Sequence, residues 1–197
     1  MKQQILAMLE LQNAMNSRVN ENWAEQHFAW YRAIWVECAE LLDHYGWKWW
    51  KKQTPDANQV KLELVDIWHF GLSILLLESR NHHGDIARLV ERQLANAKPS
   101  GDFREDLEAF TLSTLQTKKF DVAGFGALMA GVGLSFARTT VTRMVATASS
   151  GVARKIMSTW WKRLRNLILV ALNSRMISIR PCRTAMPTAP DPFGRLC

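Results

Sequence analysis

Two pairs of acidic residues inside apolar stretches constrain the fold of this chain more than any other feature. Glu37 and Glu40 lie in AWYRAIWVECAELL, and Glu63 and Asp66 lie in LELVDIWHFGLSILLL. A spacing of three places both members of a pair on one face of a helix. Acidic side chains are rarely buried unless another group compensates their charge. We therefore expect two helices that pack together with their acidic faces in contact.

Such a packing would gather four negative charges in one cleft, and that arrangement is unstable without a cation. The ligands would be hard carboxylate oxygens, and the sequence has no Cys or His at a zinc-like spacing. The ion expected is therefore magnesium, with manganese as the alternative. The competing interpretation is a solvated helix face, which is common for acids at this spacing. The strongly apolar neighbours favour the buried cluster.

Length and composition indicate a globular chain. The 197 residues are enough for one domain with a hydrophobic core, and hydrophobic residues make up 48% of them. The apolar run over residues 62–77 is short for a membrane span and contains Glu63, Asp66 and His69, so we reject a transmembrane helix there. The N-terminus has no apolar core followed by a cleavage site, so no signal peptide is expected.

The cysteines indicate the compartment. Cys38, Cys182 and Cys197 are scattered along the chain and form neither a disulfide framework nor a zinc motif. This usage suits the reducing cytoplasm. Cys38 is expected to be a small core residue.

Helical periodicity covers residues 1–136 almost throughout, and no stretch alternates as a strand would. The predicted helices are 2–17, 22–44, 54–80, 86–97, 102–116 and 122–130. Thr54 is expected to cap the third helix, with Pro55 in its first turn. We expect three tryptophans in the core and two histidines in a connecting loop, namely Trp23, Trp30 and Trp35, and His82 and His83. The sequence predicts an all-α helical bundle.

Charge is distributed very unevenly along the chain. Residues 1–136 contain 14 basic and 17 acidic residues, whereas residues 137–197 contain 11 basic residues and a single acid, Asp191. A basic segment of this kind usually indicates binding to nucleic acid or to a membrane.

The segments WYRAIWVECAELLDHYGWKWWK and QVKLELVDIWHFGLS resemble the dimeric, all-α dUTPases. These enzymes belong to the wider all-α nucleoside triphosphate pyrophosphohydrolases, which include MazG-type enzymes. The pattern E-x-x-E, spacer, E-x-x-D is weak alone, but the Trp-rich connector and D-I-W-H-F make it specific. The resemblance covers residues 1–136 and implies a magnesium-dependent homodimer that hydrolyses dUTP to dUMP and pyrophosphate.

The resemblance also implies roles for individual residues. Glu37, Glu40, Glu63 and Asp66 would hold the magnesium ions, and Glu37 would be the general base that activates the attacking water. The substrate would be bound by residues from three segments. Gln12 and Asn16 would lie at the uracil edge, and His69 and Phe70 would lie around the nucleoside. In the connector, Trp49 would lie against the base, and Lys48, Lys51 or Lys52 would contact the phosphates. Without the resemblance, His69 would be read as a core histidine.

The family pattern stops after Phe136. A relative would continue with G-K-N-x-L-N and then F-R-Q-D-x-G-Y-K, and neither motif is present. Codons that encode KIMSTWWKRLRNL can encode E-D-N-E-H-V-V-E-A-L-A-Q-L when the frame moves back by one base. The upstream segment FARTTVTRMVATASSGVAR is likewise compatible with the missing F-R-Q-D motif. We interpret residues 137–197 as an irregular basic tail, an out-of-frame remnant left by a deletion and frameshift.

Several alternatives remain open. Residues 137–197 could be a genuine basic tail in which IMSTWWKRLRNLILVAL forms an amphipathic helix for a membrane or a partner. The chain could be a dUTP diphosphatase impaired by the loss of the C-terminal motifs, a catalytically dead remnant, or a dCTP-type pyrophosphohydrolase, and dUDP could be a further substrate. The expected partners are a nucleotide and a second copy of the chain, and neither nucleic acid nor a membrane.

Overall fold

The computed structural model describes residues 1–80 and 82–134, and this part of the chain is helical without any strand. The elements are α1 (Lys2–Val19), α2 (Trp30–Tyr45), α3 (Ala57–Glu78), α4 (His83–Ala95), α5 (Phe103–Thr117) and α6 (Val122–Gly131). A short 3-10 helix, Trp23–Glu25, precedes α2. The predicted all-α class is confirmed. The interpretations of residues 137–197 lie outside the described residues.

The predicted second helix, 22–44, is wrong at its beginning. Its first residues form the 3-10 helix and a connector, and α2 begins only at Trp30. His27 has a φ of 53°, in the left-handed region that a continuous right-handed helix excludes. At its other end α2 stops at Gly46, whose φ of 96° suits glycine and ends the helix.

Helix α3 begins later than predicted, because its cap is Asp56 rather than Thr54. The Asp56 carboxylate accepts hydrogen bonds from the backbone N–H groups of Asn58 (3.0 Å) and Gln59 (3.1 Å). Pro55 therefore precedes the helix instead of lying in its first turn. An aspartate that satisfies two of the first N–H groups is a strong N-cap.

Helix α3 is the central helix of the described region, with side chains buried on most of its circumference. It packs against α1, α2, α4 and α6. Trp68 stacks on Phe125 with ring centroids 5.3 Å apart, and Phe120 lies edge-on to Trp68 at 5.8 Å. A Cβ atom at Gly71 would lie 2.6 Å from the Phe120 ring, so this close approach requires glycine.

Helix α2 buries one stripe, made of residues spaced by three or four. Trp30 and Cys38 lie on that stripe and are buried, as predicted. Trp23, in the preceding 3-10 helix, is also buried as predicted. Trp35 was expected in the core as well, and that prediction is wrong, since its side chain is 52% exposed. It follows the buried Ile34 by one residue and therefore points about 100° away from the stripe.

The two histidines expected in the loop after α3 are placed differently. His82 is the exposed residue that precedes α4, whereas His83 is the first residue of α4, so the loop is shorter than predicted. Within the described residues, no helix is both long enough and apolar enough to cross a membrane.

Candidate functional site

Helices α2 and α3 pack against each other along the faces that carry the acidic pairs. Carboxylate oxygens of Glu37, Glu63 and Asp66 lie within 4.8 Å of one another. Ligand atoms of Glu40, His44 and Glu63 form a second group with the same limit, so Glu63 belongs to both groups. The four acids and His44 are called the carboxylate cluster below. Their roles as metal ligands stay predictions.

The cluster is buried at its centre. Glu37 is 4% exposed and Glu63 is 2% exposed, whereas Glu40 and Asp66 lie nearer the surface. Burial raises the pKa of Glu37 to about 9, and the negative charge of Asp66 contributes further to this rise. At neutral pH the cluster therefore retains a proton on Glu37.

The donor set fits a divalent metal ion. Ligands that bind one hard cation at about 2.0–2.4 Å lie at most about 4.8 Å apart, and each group of three meets that limit. The oxygens are hard ligands, and the raised pKa of Glu37 indicates that burial and the neighbouring acids disfavour its negative charge. His44, which the sequence analysis missed, adds one nitrogen. The sequence feature that could have identified His44 is its spacing of four from Glu40 on the same helix.

A second set of polar side chains lies between α1 and α3. Gln12 Nε2 donates to Asn16 Oδ1 at 2.9 Å and to Ser73 Oγ at 3.2 Å, and Asn16 Nδ2 donates to Ser73 Oγ at 3.0 Å. His69 Nδ1 lies 2.6 Å from Gln12 Oε1. These four residues are called the amide network. The structure thus brings together Gln12, Asn16 and His69 of the predicted substrate site.

Ser73 fixes the orientation of the amide network. Its hydroxyl proton is directed to the main-chain carbonyl of His69 at 3.2 Å, so Ser73 Oγ offers only lone pairs to the two amides. Gln12 and Asn16 must both present NH₂ groups to it. Gln12 Oε1 then faces His69, whose Nδ1 carries the hydrogen. Burial lowers the pKa of His69 to about 4, which keeps the imidazole neutral.

Sequence reasoning missed Ser73. The sequence feature that could have identified Ser73 is the presence of a hydroxyl residue in the apolar run GLSILLL, four positions after His69. Phe70, predicted beside the nucleoside, is buried in the core, where its ring lies 6.1 Å from that of Trp30.

The remaining predicted site residues lie on the connector between α2 and α3. Trp49 is 89% exposed, and its ring meets Trp50 edge-on at 5.3 Å. Lys51 and Lys52 are also exposed. Lys48 Nζ lies 2.6 Å from Asp43 Oδ1, and this contact lowers the pKa of Asp43. In the described part of the chain, these residues lie outside the two buried clusters.

The start of this connector is anchored to the end of α2. Gln53 Oε1 accepts hydrogen bonds from the backbone N–H groups of Trp47 (2.9 Å) and Lys48 (2.7 Å). Asp43 also accepts from Trp47 Nε1 at 3.1 Å. These hydrogen bonds hold the backbone from which the aromatic and basic side chains of the connector extend.

In a comparison with known protein families, the family described as dUTPase matches residues 4–162. The matched region contains both polar clusters. It also extends past Phe136, where the sequence motifs stop, into residues outside the described part of the chain. Comparison with curated proteins finds no match.

Proposed function

Because the chain belongs to the dUTPase family of the all-α type, we propose that it hydrolyses dUTP to dUMP and pyrophosphate with magnesium. One observation carries the proposal: α2 and α3 bring Glu37, Glu40, Glu63 and Asp66 together in a partly buried cluster. The family suggests a divalent metal, and hard oxygen ligands favour magnesium, with manganese as the alternative.

Each residue of the cluster would have a defined task. Glu37, Glu63 and Asp66 would hold one ion, and Glu40 with Glu63 would hold another. When bound, the ions would neutralise phosphate charge on both sides of the bond between the α- and β-phosphates. Glu37, once it loses the proton that its raised pKa retains, would accept a proton from the attacking water.

The amide network would read the base. An amide has both a donor and an acceptor, which suits the alternating edge of uracil, and Gln12 and Asn16 would exchange hydrogen bonds of the network for hydrogen bonds to the base. His69, neutral because of its lowered pKa, and Phe70 would line the nucleoside pocket. Trp49 would supply a flat face against the base. Lys51 and Lys52 are exposed for phosphate contact, whereas Lys48 is already paired with Asp43.

We further propose a homodimer in the cytoplasm. Large apolar side chains are exposed on several helices of the described region: Leu11, Trp35, Val36, Leu62 and Leu112. Trp35 and Val36 line a groove beside Glu40 and His44. A second copy that covers this groove would bury apolar area and close the outer side of the carboxylate cluster.

A catalytically dead remnant is the second candidate, favoured by a specific observation. The G-K-N-x-L-N and F-R-Q-D-x-G-Y-K motifs expected after Phe136 are absent. Loss of one donor to a developing charge typically costs about 10²–10³ in rate. We therefore expect turnover far below the usual range of about 1–10³ per second. A dCTP preference is tested in the same assay, because base choice depends on few contacts.

The test is pyrophosphate release by the purified full chain with dUTP, dCTP or dUDP, each with magnesium and with EDTA. Slow, magnesium-dependent release from dUTP that is lost in Glu37→Gln supports the impaired enzyme. Complete absence of release, with magnesium still bound, supports the dead remnant. Faster turnover of dCTP than of dUTP would overturn the substrate assignment.

A further inference from the structure

His44 is the one member of the carboxylate cluster that the proposed chemistry does not use. It lies in the last turn of α2, four residues after Glu40 and seven after Glu37, and so continues the acidic stripe. His44 Nε2 is 3.5 Å from Glu63 Oε1. A nitrogen that completes a group of three ligand atoms within 4.8 Å is placed as a metal ligand would be.

The backbone fixes His44 in this position. Its main-chain carbonyl accepts a hydrogen bond from the N–H of Asp56 at 2.9 Å. Asp56 is in turn the N-cap of α3, which carries Glu63. The imidazole, in the last turn of α2, and the Glu63 carboxylate, in the second turn of α3, therefore belong to two helices whose ends are joined directly. Ligands held by rigid elements favour a defined metal geometry.

In a single copy of the chain, an ion can reach this side of the cluster. The His44 side chain is partly exposed, and it lines the open groove together with Trp35, Glu40 and Asp43. The group of Glu37, Glu63 and Asp66 lies deeper and contains only oxygen ligands. The cluster thus has an inner group of hard ligands and an outer group that includes one imidazole.

We propose that His44 is a nitrogen ligand of the outer metal position, and that it makes this position prefer Mn²⁺, Co²⁺ or Zn²⁺ to Mg²⁺. The proposal rests on the carboxylate cluster being the metal site of the proposed function. Imidazole suits transition metals, whose affinities rise along the series from manganese to copper, whereas Mg²⁺ prefers oxygen. The inner, all-oxygen position would keep the preference for Mg²⁺.

The experiment measures metal binding to the full chain, without nucleotide, by titration calorimetry at about pH 8, where ordinary histidines are neutral. Co²⁺ and Mg²⁺ are titrated into the unsubstituted chain, His44→Gln and His44→Asp. His82→Gln is the matched control. Its histidine is exposed beyond the end of α3, and the 12 helical steps from Asp66 to Glu78 alone span about 18 Å.

His44→Gln should weaken Co²⁺ binding by about 10-fold or more, the scale on which metal sites respond to the loss of a supporting group. Mg²⁺ affinity should stay close to that of the unsubstituted chain. His44→Asp, which supplies oxygen in place of nitrogen, should retain Mg²⁺ binding and lose the preference for Co²⁺. The Co²⁺ absorption spectrum should change in both variants and not in His82→Gln.

Equal loss of Co²⁺ and Mg²⁺ affinity in His44→Gln would overturn the proposal, because it would indicate a structural role. Unchanged Co²⁺ affinity in that variant would overturn it too. Either result would leave the proposed function intact, provided that Mg²⁺ still binds to the unsubstituted chain. An unsubstituted chain that binds neither ion would overturn both proposals.

Discussion

At the scale of single residues, the burial of Glu37 among other acids disfavours its ionised form. Its pKa rises from 4.5 to about 9 because it is buried beside Asp66 and the other acids. Between these values the folded chain binds more protons at Glu37 than the unfolded chain does. The free energy of unfolding of the metal-free protein should therefore fall as pH rises through this window.

The first prediction concerns Glu37→Gln, which removes this titration. The variant should be more stable than the parent in EDTA, and the difference should grow between about pH 6.5 and pH 9. His69 makes the free energy of unfolding rise with pH instead, but only below its ordinary pKa of 6.5, since its folded pKa is lowered to about 4. Urea unfolding across this range checks the prediction. Parallel pH profiles for parent and variant would contradict it.

The second prediction concerns Ser73→Ala. The substitution leaves the buried NH₂ groups of Gln12 and Asn16 without their shared acceptor, at a cost of about 1–3 kcal/mol. Both amides are then free to change orientation, so the preference for dUTP over dCTP in binding should also fall. Ser113→Ala, on a partly exposed turn of α5, is the control and should stay within about 0.5 kcal/mol. Equal stability of the two variants would contradict the prediction.

The sequence allowed the acids to be predicted because they recur at a helical spacing, whereas Gln12, Asn16 and His69 were predicted only from the family resemblance. The cluster geometry agrees with the expected packing of Glu37, Glu40, Glu63 and Asp66, and Gln12 and Asn16 lie beside His69. Ser73 and His44 were missed although each lies four residues from a predicted site residue on its own helix, because their contacts with Gln12, Asn16 and Glu63 cross between helices. A pattern within one helix does not indicate such contacts.

At the scale of elements, the packing of α3 against its neighbours positions both clusters. Helix periodicity was enough to predict six helices, because each buries a stripe or, for α3, most of its surface. The boundaries were harder to predict, since they depend on caps and on single backbone angles. The N-cap of α3 is Asp56 instead of the expected Thr54. The left-handed conformation of His27 places the start of α2 later in the sequence than predicted.

The third prediction tests the packing of α3. Gly71→Ala would place a Cβ atom 2.6 Å from the Phe120 ring, and overpacking of this kind costs about 1–3 kcal/mol. Gly84→Ala is the matched control, because nothing lies within 4 Å of a Cβ there and alanine favours helix α4. Urea unfolding should show a loss for Gly71→Ala and no loss for Gly84→Ala. A Gly71→Ala protein as stable as its parent would contradict this packing.

At the scale of the whole molecule, two features extend beyond the described helices: the assembly and the tail. The fourth prediction is that Trp35→Glu dissociates the proposed homodimer. Trp35 is exposed on the outer face of α2, and a charge there would oppose burial against a second copy. Light scattering at micromolar concentration should give a dimer for the parent and a monomer for the variant. A monomeric parent would contradict the proposal.

The coding sequence tests the frameshift interpretation of residues 137–197. If a deletion and frameshift produced residues 137–197, the DNA downstream of codon 136 should encode the F-R-Q-D-x-G-Y-K motif when it is read one base back. An uninterrupted frame without that motif would favour a selected basic tail. The excess of basic residues there, 11 against one acid, needs no binding partner under the first outcome.

The central claim is that α2 and α3 together form a divalent metal site in a protein of the dUTPase family, and magnesium binding tests it most directly. Titration calorimetry of the full chain at about pH 7 should show saturable Mg²⁺ binding with release of a proton, because Glu37 retains one in the metal-free state. Glu63→Gln should abolish the binding, since Glu63 belongs to both ligand groups. Unchanged Mg²⁺ binding in Glu63→Gln would contradict the claim.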